Sequence, residues 1–220
     1  MVSVLSLFVR FAPTHRKFFS RAIFFRRTYG QMEDIPVPEG LSCAWASTED
    51  IELIDKHPEA TSRGANTRRV ARGDRCMRLK RGDEILGYQW VTRQAACVFC
   101  GFDPGYELLF FPLQADQIFT YDSYVYSAHR RKAYGTVIRR RLHRTLQHEG
   151  IREAYSLVAP ENTPSISITL QSGFEPWRMA YGVRIRGWSK MILGPEVEPR
   201  LLRWIDEFKA HTVIDMSRFA

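Results

Sequence analysis

Apolar positions recur with helical spacing in some stretches of this chain and with strand spacing in others. Across Gly135–Glu149, Val137, Ile138, Leu142 and Leu146 share one face, which predicts an amphipathic helix closed by Gly150. Pro199–Lys209 repeats the pattern with Leu201, Leu202, Ile205 and Phe208. Strands are predicted over Leu41–Ala46, Asp74–Lys80, Ile85–Arg93, Ile118–Tyr126 and Ala154–Val158, with Ala95–Phe102 prolonging the third. Arg81-Gly82-Asp83-Glu84 is a hairpin turn, because Gly82 tolerates positive φ. Ser47 or Thr48 caps a helix over Glu49–Lys56, and a second helix follows over Glu59–Arg72, weakened by Gly64. Pro160–Ser172 is a helix ended by Gly173, and Phe174–Trp177 and Met179–Trp188 read as closing strands. This order supports an α+β or mixed α/β fold.

Length and composition narrow the class. A chain of 220 residues suits one domain with tails, and 45% apolar content supports a real core. The expected division is a basic, apolar N-terminal extension over 1–34, a domain over 35–195, and a helical tail over 196–220 packed on it. No run reaches the ~20 apolar residues of a membrane-spanning helix. The net charge of +8 favours anionic partners: cofactor phosphates, nucleic acid or a membrane surface. Much of the excess precedes Glu33, the first acid, and comprises Arg10, Arg16, Lys17, Arg21, Arg26 and Arg27. Phe18, Phe19, Ala22, Ile23 and Phe25 would line one side of a helix there. Two outcomes stay open for residues 1–32: peripheral contact with an anionic membrane, or packing on the domain or on a second subunit of a homodimer. Nucleic acid ranks lowest, since no recognition motif is present. Cys97 and Cys100 have zinc-ligand spacing without a second pair, so small buried hydrophobes and a cytoplasmic chain with reduced thiols are expected, and no metal.

The segment Arg130-Arg131-Lys132-Ala133-Tyr134-Gly135-Thr136 joins a predicted strand to a predicted helix. Such a loop aims backbone N–H groups and a helix N-terminus at one point, a site for a diphosphate, and the flanking cations add charge-assisted contacts. Its pattern Arg-x-x-Ala-x-Gly resembles the Arg/Gln-x-x-Gly-x-Gly/Ala loop of the GNAT superfamily of acyl-CoA N-acyltransferases. Downstream, Asn162-Thr163-Pro164-Ser165 followed by Gly173-Phe174 resembles that superfamily's second signature, in the same order and at its usual spacing. The resemblance is clearest over Asp74–Trp188. It implies a mostly antiparallel mixed sheet of six to seven strands, flanked by about four helices and splayed at the cofactor site.

The resemblance also implies chemistry. Acetyl-CoA or another acyl-CoA would be the co-substrate, and an amine acceptor would attack the thioester directly. The backbone of Tyr124, Val125 and Tyr126 would pair with the pantetheine arm. Arg130, Arg131, Lys132, Ala133, Tyr134, Gly135 and Thr136 would hold the diphosphate. Ala133 stands where the family has glycine, which is tolerable at negative φ and costly in the left-handed region. Asn162 and Ser165 would contact the pantetheine, although Asn162 also suits the cap of the following helix. Many relatives place a Tyr acid where this chain has Thr169, a far weaker acid. Asp122 and Glu107 are candidates for the base. A CoA-binding module without catalysis is the alternative.

Overall fold

The computed structural model describes residues 19–30, 36–60, 64–93, 96–97, 109–110, 112–185 and 188–197, together with 199, 202, 203, 205 and 206. Eight strands form one open sheet: β1 (Phe19–Thr28), β2 (Ser42–Trp45), β3 (Arg75–Arg81), β4 (Glu84–Thr92), β7 (Gln117–Val125), β8 (Glu153–Val158), β9 (Glu175–Ile185) and β10 (Trp188–Glu196). Their spatial order is β10-β9-β1-β8-β7-β4-β3-β2, and every neighbouring pair is antiparallel except β7 with β8. Two short strands, β5 (Ala96–Cys97) and β6 (Leu109–Phe110), pair separately. The helices are α1 (Thr48–Lys56), α2 (Asn66–Ala71), α3 (Tyr134–His148) and α4 (Thr163–Gln171).

The sheet separates two apolar layers. One face packs Val137, Ile138, Leu142 and Leu146 of α3, with Ile166 of α4, over Met77, Leu79, Leu86, Ile118 and Ala154. The other face is aromatic, with Phe24, Tyr88, Trp90, Phe119, Tyr121, Tyr126 and Tyr155, and receives Ile51 and Ile54 of α1. Successive side chains of a strand alternate between these layers. Ile205 is fully buried in the first layer, and Leu202 packs against that layer; Leu201 and Phe208 lie outside the described residues.

The N-terminal segment differs from its expectation. Residues 19–28 are a strand, not a helix, and β1 lies inside the sheet between β8 and β9. Ala22, Ile23, Phe24 and Phe25 are at most 1% exposed, so these four side chains are inside the protein. A short apolar run reads equally as a buried strand or a helix segment, and here both sheet faces claim it. Phe18 lies outside the described residues.

Other boundaries shift as well. The second helix starts at Asn66 rather than Glu59, after Gly64 at φ +71°. The two closing strands after Phe174 are instead one strand, β9, and β10 follows it. Pro176 sits within β9 at an irregularity opposite Phe25, where a missing donor is tolerated. Cys43 and Cys76 are buried and unpaired, with burial pushing the Cys43 thiol up to about 12. Cys100 lies outside the described residues, as does Glu107. Among the described residues, no helix is long and apolar enough to cross a membrane.

Candidate functional site

The parallel pair opens at the middle of the sheet. β7 and β8 are in register from Gln117–Glu153 to Thr120–Ser156, and then the pairing stops. Beyond that point β7 continues on β4 alone, while Leu157 and Val158 pair with β1. A bulge at Asp122 accompanies the divergence. Trp90 faces Tyr121 and Gln89 faces Ser123, so Asp122 is the extra residue of a bulge, held at φ +42°. The backbone of Tyr124, Val125 and Tyr126 therefore lies along one wall of a wedge. Gly87, opposite Val125, has no room for a side chain: a Cβ there would stand 2.7 Å from the Tyr124 carbonyl oxygen.

Asp122 is anchored in place. Its carboxylate forms an ion pair with Arg69, both side chains being at most 10% exposed. The Arg69 guanidinium lies 5.2 Å from the Trp90 ring and 5.1 Å from that of Tyr121, and donates to Asn66 Oδ1 at 2.9 Å. Asn66 in turn donates to Asp55 at 2.6 Å. The chain Asp55–Asn66–Arg69–Asp122 ties α1 and α2 to the bulge. A carboxylate so engaged serves as a fastening and is poorly placed to be a base.

Past a single 3-10 turn at Ser127–His129, the chain enters α3 through two strained positions, Arg131 at φ +64° and Ala133 at φ +52°. Ala133 thus adopts the left-handed region, the costly case for alanine. With Asp122, these are the positive-φ non-glycine residues among those described, and all three border the wedge. Strain of this kind persists where surrounding structure enforces it and clusters at functional sites. No side chain caps α3. Among the described residues, no acceptor meets the backbone N–H groups of 131–135, whereas those of Thr136 and Val137 bond the Ala133 carbonyl. Arg130, Arg131 and Lys132 are exposed around these amides. Tyr134 is buried with its hydroxyl accepting from Arg81 at 2.9 Å, and Thr136 is buried as well. Gly135 packs so closely that a Cβ would meet Ile168 of α4 at 3.3 Å and Val125 at 3.7 Å.

The second motif lies beside this loop. Asn162 Oδ1 accepts from the Ser165 N–H at 3.2 Å, so Asn162 does cap α4. Its exposed side chain keeps an amide NH2 for other partners. Thr169 is fully buried; its hydroxyl donates to the Ser165 carbonyl at 2.6 Å and accepts from Arg139 at 2.5 Å. That hydroxyl proton points at the helix backbone, which leaves Thr169 poorly placed to act as the acid. Burial pulls the Arg139 guanidinium down to about 10.

Glu59 is the residue that sequence reasoning overlooked. Expected as the first residue of a helix, it instead reaches across to the end of β7. Its carboxylate accepts from the Ser127 N–H at 3.0 Å, the Ser127 hydroxyl at 2.6 Å and the Tyr124 hydroxyl at 3.1 Å. The Ser127 hydroxyl and N–H hold it below the usual carboxylate range. Nothing local announces a partner 68 residues away in sequence. Around it stand Tyr88, Tyr124 and Tyr126 in mutual edge or stacked contact, with His57 stacked on Tyr126 at 3.4 Å.

The sequence matches no protein-family model and no curated protein. Solved structures share the architecture. A tandem GNAT protein from the clavulanic acid biosynthesis pathway superposes with a TM-score of 0.53, covering 88% of this chain and 60% of its own, at 18% identity. A GNAT-family protein from Novosphingobium aromaticivorans gives 0.52 over 81% of this chain and 66% of its own, at 10% identity. A GCN5-related glucosamine N-acetyltransferase region of a fungal multi-domain GH3 beta-N-acetylglucosaminidase gives 0.52 over 73% and 20%, at 11% identity. In each comparison this chain spans less than two-thirds of the other's length. The chain has the GNAT fold, with eight strands in its main sheet among the described residues where six or seven were expected.

Proposed function

We propose that this chain is an acyl-CoA-dependent N-acyltransferase that uses acetyl-CoA and transfers the acyl group directly to a primary amine. The observation that carries this reading is the conjunction at α3: unpaired amides over 131–135, three exposed cations and a wedge between β7 and β8, all within one loop. A helix N-terminus with free N–H groups and no capping side chain suits a diphosphate. An open strand edge suits the amide-bearing pantetheine arm, since main-chain donors and acceptors there need partners. Arg130 through Thr136 would hold the diphosphate, and the backbone of Tyr124, Val125 and Tyr126 would hold the arm. The Asn162 amide and Ser165 would line its other side. GNAT-fold neighbours acting as N-acetyltransferases add support by analogy.

In the reaction, the amine nitrogen attacks the thioester carbonyl, a backbone N–H of the wedge stabilises the oxyanion, and the thiolate departs. Thr169 does not protonate that thiolate; the proton comes from the reacting amine or from water. Asp122 acts through its grip on the bulge.

The engaged states of Asp122 and Thr169 favour one other reading, a CoA-binding module without turnover. Titration calorimetry with acetyl-CoA, followed by thiol release over a panel of primary amines, separates the two. Binding with turnover is expected. Binding without turnover selects the module, and absence of binding removes both.

A further inference from the structure

The wedge has a second wall. Glu59 closes the end of β7 on the aromatic face of the sheet, where its carboxylate is 30% exposed. Beside it, the Tyr126 hydroxyl is buried and meets no hydrogen-bond partner among the described residues, an arrangement that costs free energy unless something else completes it. A cation already occupies the spot. The Arg130 guanidinium lies 5.3 Å from the centre of the Tyr124 ring, donates to the Tyr124 hydroxyl at 2.8 Å and stands 3.9 Å from Glu59. The carboxylate and the ring thus suit a positive charge, by ion pairing and cation–π attraction together.

We propose that Glu59 and the ring of Tyr124, with the unpartnered Tyr126 hydroxyl, form the subsite that holds the acceptor's ammonium by charge, so that the acceptor is a cationic primary amine. The inference rests on the acyltransferase reading, because Arg130 must turn towards the diphosphate to free the position. Tyr124 then serves two neighbours: its backbone faces the pantetheine and its ring faces the amine. One proton passes from the ammonium to water at the exposed edge of the subsite. The freed lone pair forms the C–N bond, the C–S bond breaks, and the thiolate takes the second proton from nitrogen. The products are an amide, free CoA thiol and one proton. Besides Glu59, the charged and titratable groups around the subsite among the described residues include Arg130, His57, Tyr88, Tyr124 and Tyr126.

The test is Glu59→Gln, with spermidine and tyramine as cationic amines and glycine as a carboxylate-bearing one. Calorimetry should still give acetyl-CoA binding, weakened by no more than about tenfold, because Glu59 touches the diphosphate loop only through Ser127 and Arg130. The KM for spermidine or tyramine should rise by about 30-fold and kcat/KM fall by at least about 100-fold. Tyr126→Phe, which removes only the unpartnered hydroxyl, should raise the amine KM about 5-fold without lowering the melting temperature. Wild type should prefer the cationic amines to glycine. An unchanged amine KM in both variants, alongside an active wild type, overturns the subsite and leaves the acyltransferase reading standing. A wild type that releases no thiol with any amine removes that reading, and the subsite with it.

Discussion

The starts of α1 and α3 are built in opposite ways. At α1, the Ser47 hydroxyl accepts from the Asp50 N–H at 3.2 Å and the Asp50 carboxylate accepts from the Ser47 N–H at 3.2 Å, a reciprocal box. Arg78 and Lys80 then meet the same carboxylate at 3.0 Å each. Local side chains quench the amides and the charge, and α4 follows suit with Asn162. At α3, no side chain caps the amides, the approach is strained, and the nearby cations point outwards. A chain that caps α1 and α4 has left α3 open at the mouth of its wedge, and the six-residue α2 is uncapped as well. The contrast separates a helix end that serves stability from one kept available for an anion.

Placing negative charge at the open end is the harshest way to break that contrast. Gly135→Glu brings a carboxylate and a longer side chain to the point where Ile168 and Val125 leave little space. Acetyl-CoA affinity should fall by at least about 1,000-fold, roughly 4 kcal/mol, by calorimetry on a folded variant. Unchanged affinity would remove the loop assignment. Next in size is Asp122→Ala, which leaves the buried Arg69 guanidinium without its counter-charge between Trp90 and Tyr121. A loss of about 3 kcal/mol is expected in urea unfolding, with weaker acetyl-CoA binding as the bulge relaxes. Retained stability would show that the bulge needs no fastening.

Much of this architecture is legible from side-chain pattern, and the exceptions have physical causes. The path from β7 through the loop, α3, β8 and α4 is announced by period, by Gly150 and Gly173 as helix stops, and by the two motifs. The loop's residues fall together as the motif implies, whereas its geometry does not follow from residue type: nothing about Ala133 forecasts φ +52°. β1 escapes notice because four consecutive apolar residues serve both faces of a sheet, erasing the alternation that marks a strand. Pro176 suggests a break in β9, yet the irregularity beside Phe25 absorbs it. The polar contacts of the site are the least legible. Arg69 with Asp122 and Glu59 with Ser127 are separated by 53 and 68 residues, and only the folded sheet brings them together.

The capped end gives a matched control. Ser47→Ala removes the hydroxyl from the α1 box and should cost about 1 kcal/mol of stability, with acetyl-CoA affinity unchanged. A change in affinity of more than about twofold would mean that the two helix starts are coupled, through α1, α2 and Arg69, rather than independent.

The smallest effect sharpens the contrast most, because it goes the other way. Ala133 at φ +52° lacks the side-chain hydrogen bonding that lets Asn or Asp occupy this region readily. Ala133→Gly removes the Cβ that makes the conformation costly, but it also gives the unfolded chain more freedom to lose. The two terms oppose each other, and the steric one is the larger, at about 1–2 kcal/mol against less than about 1 kcal/mol. A net gain of about 0.5 kcal/mol is expected in urea unfolding, with acetyl-CoA affinity within about twofold of wild type. If the variant is instead destabilised by about 1 kcal/mol, residue 133 relaxes to negative φ in the free protein, and the amides are not held open in advance of the ligand.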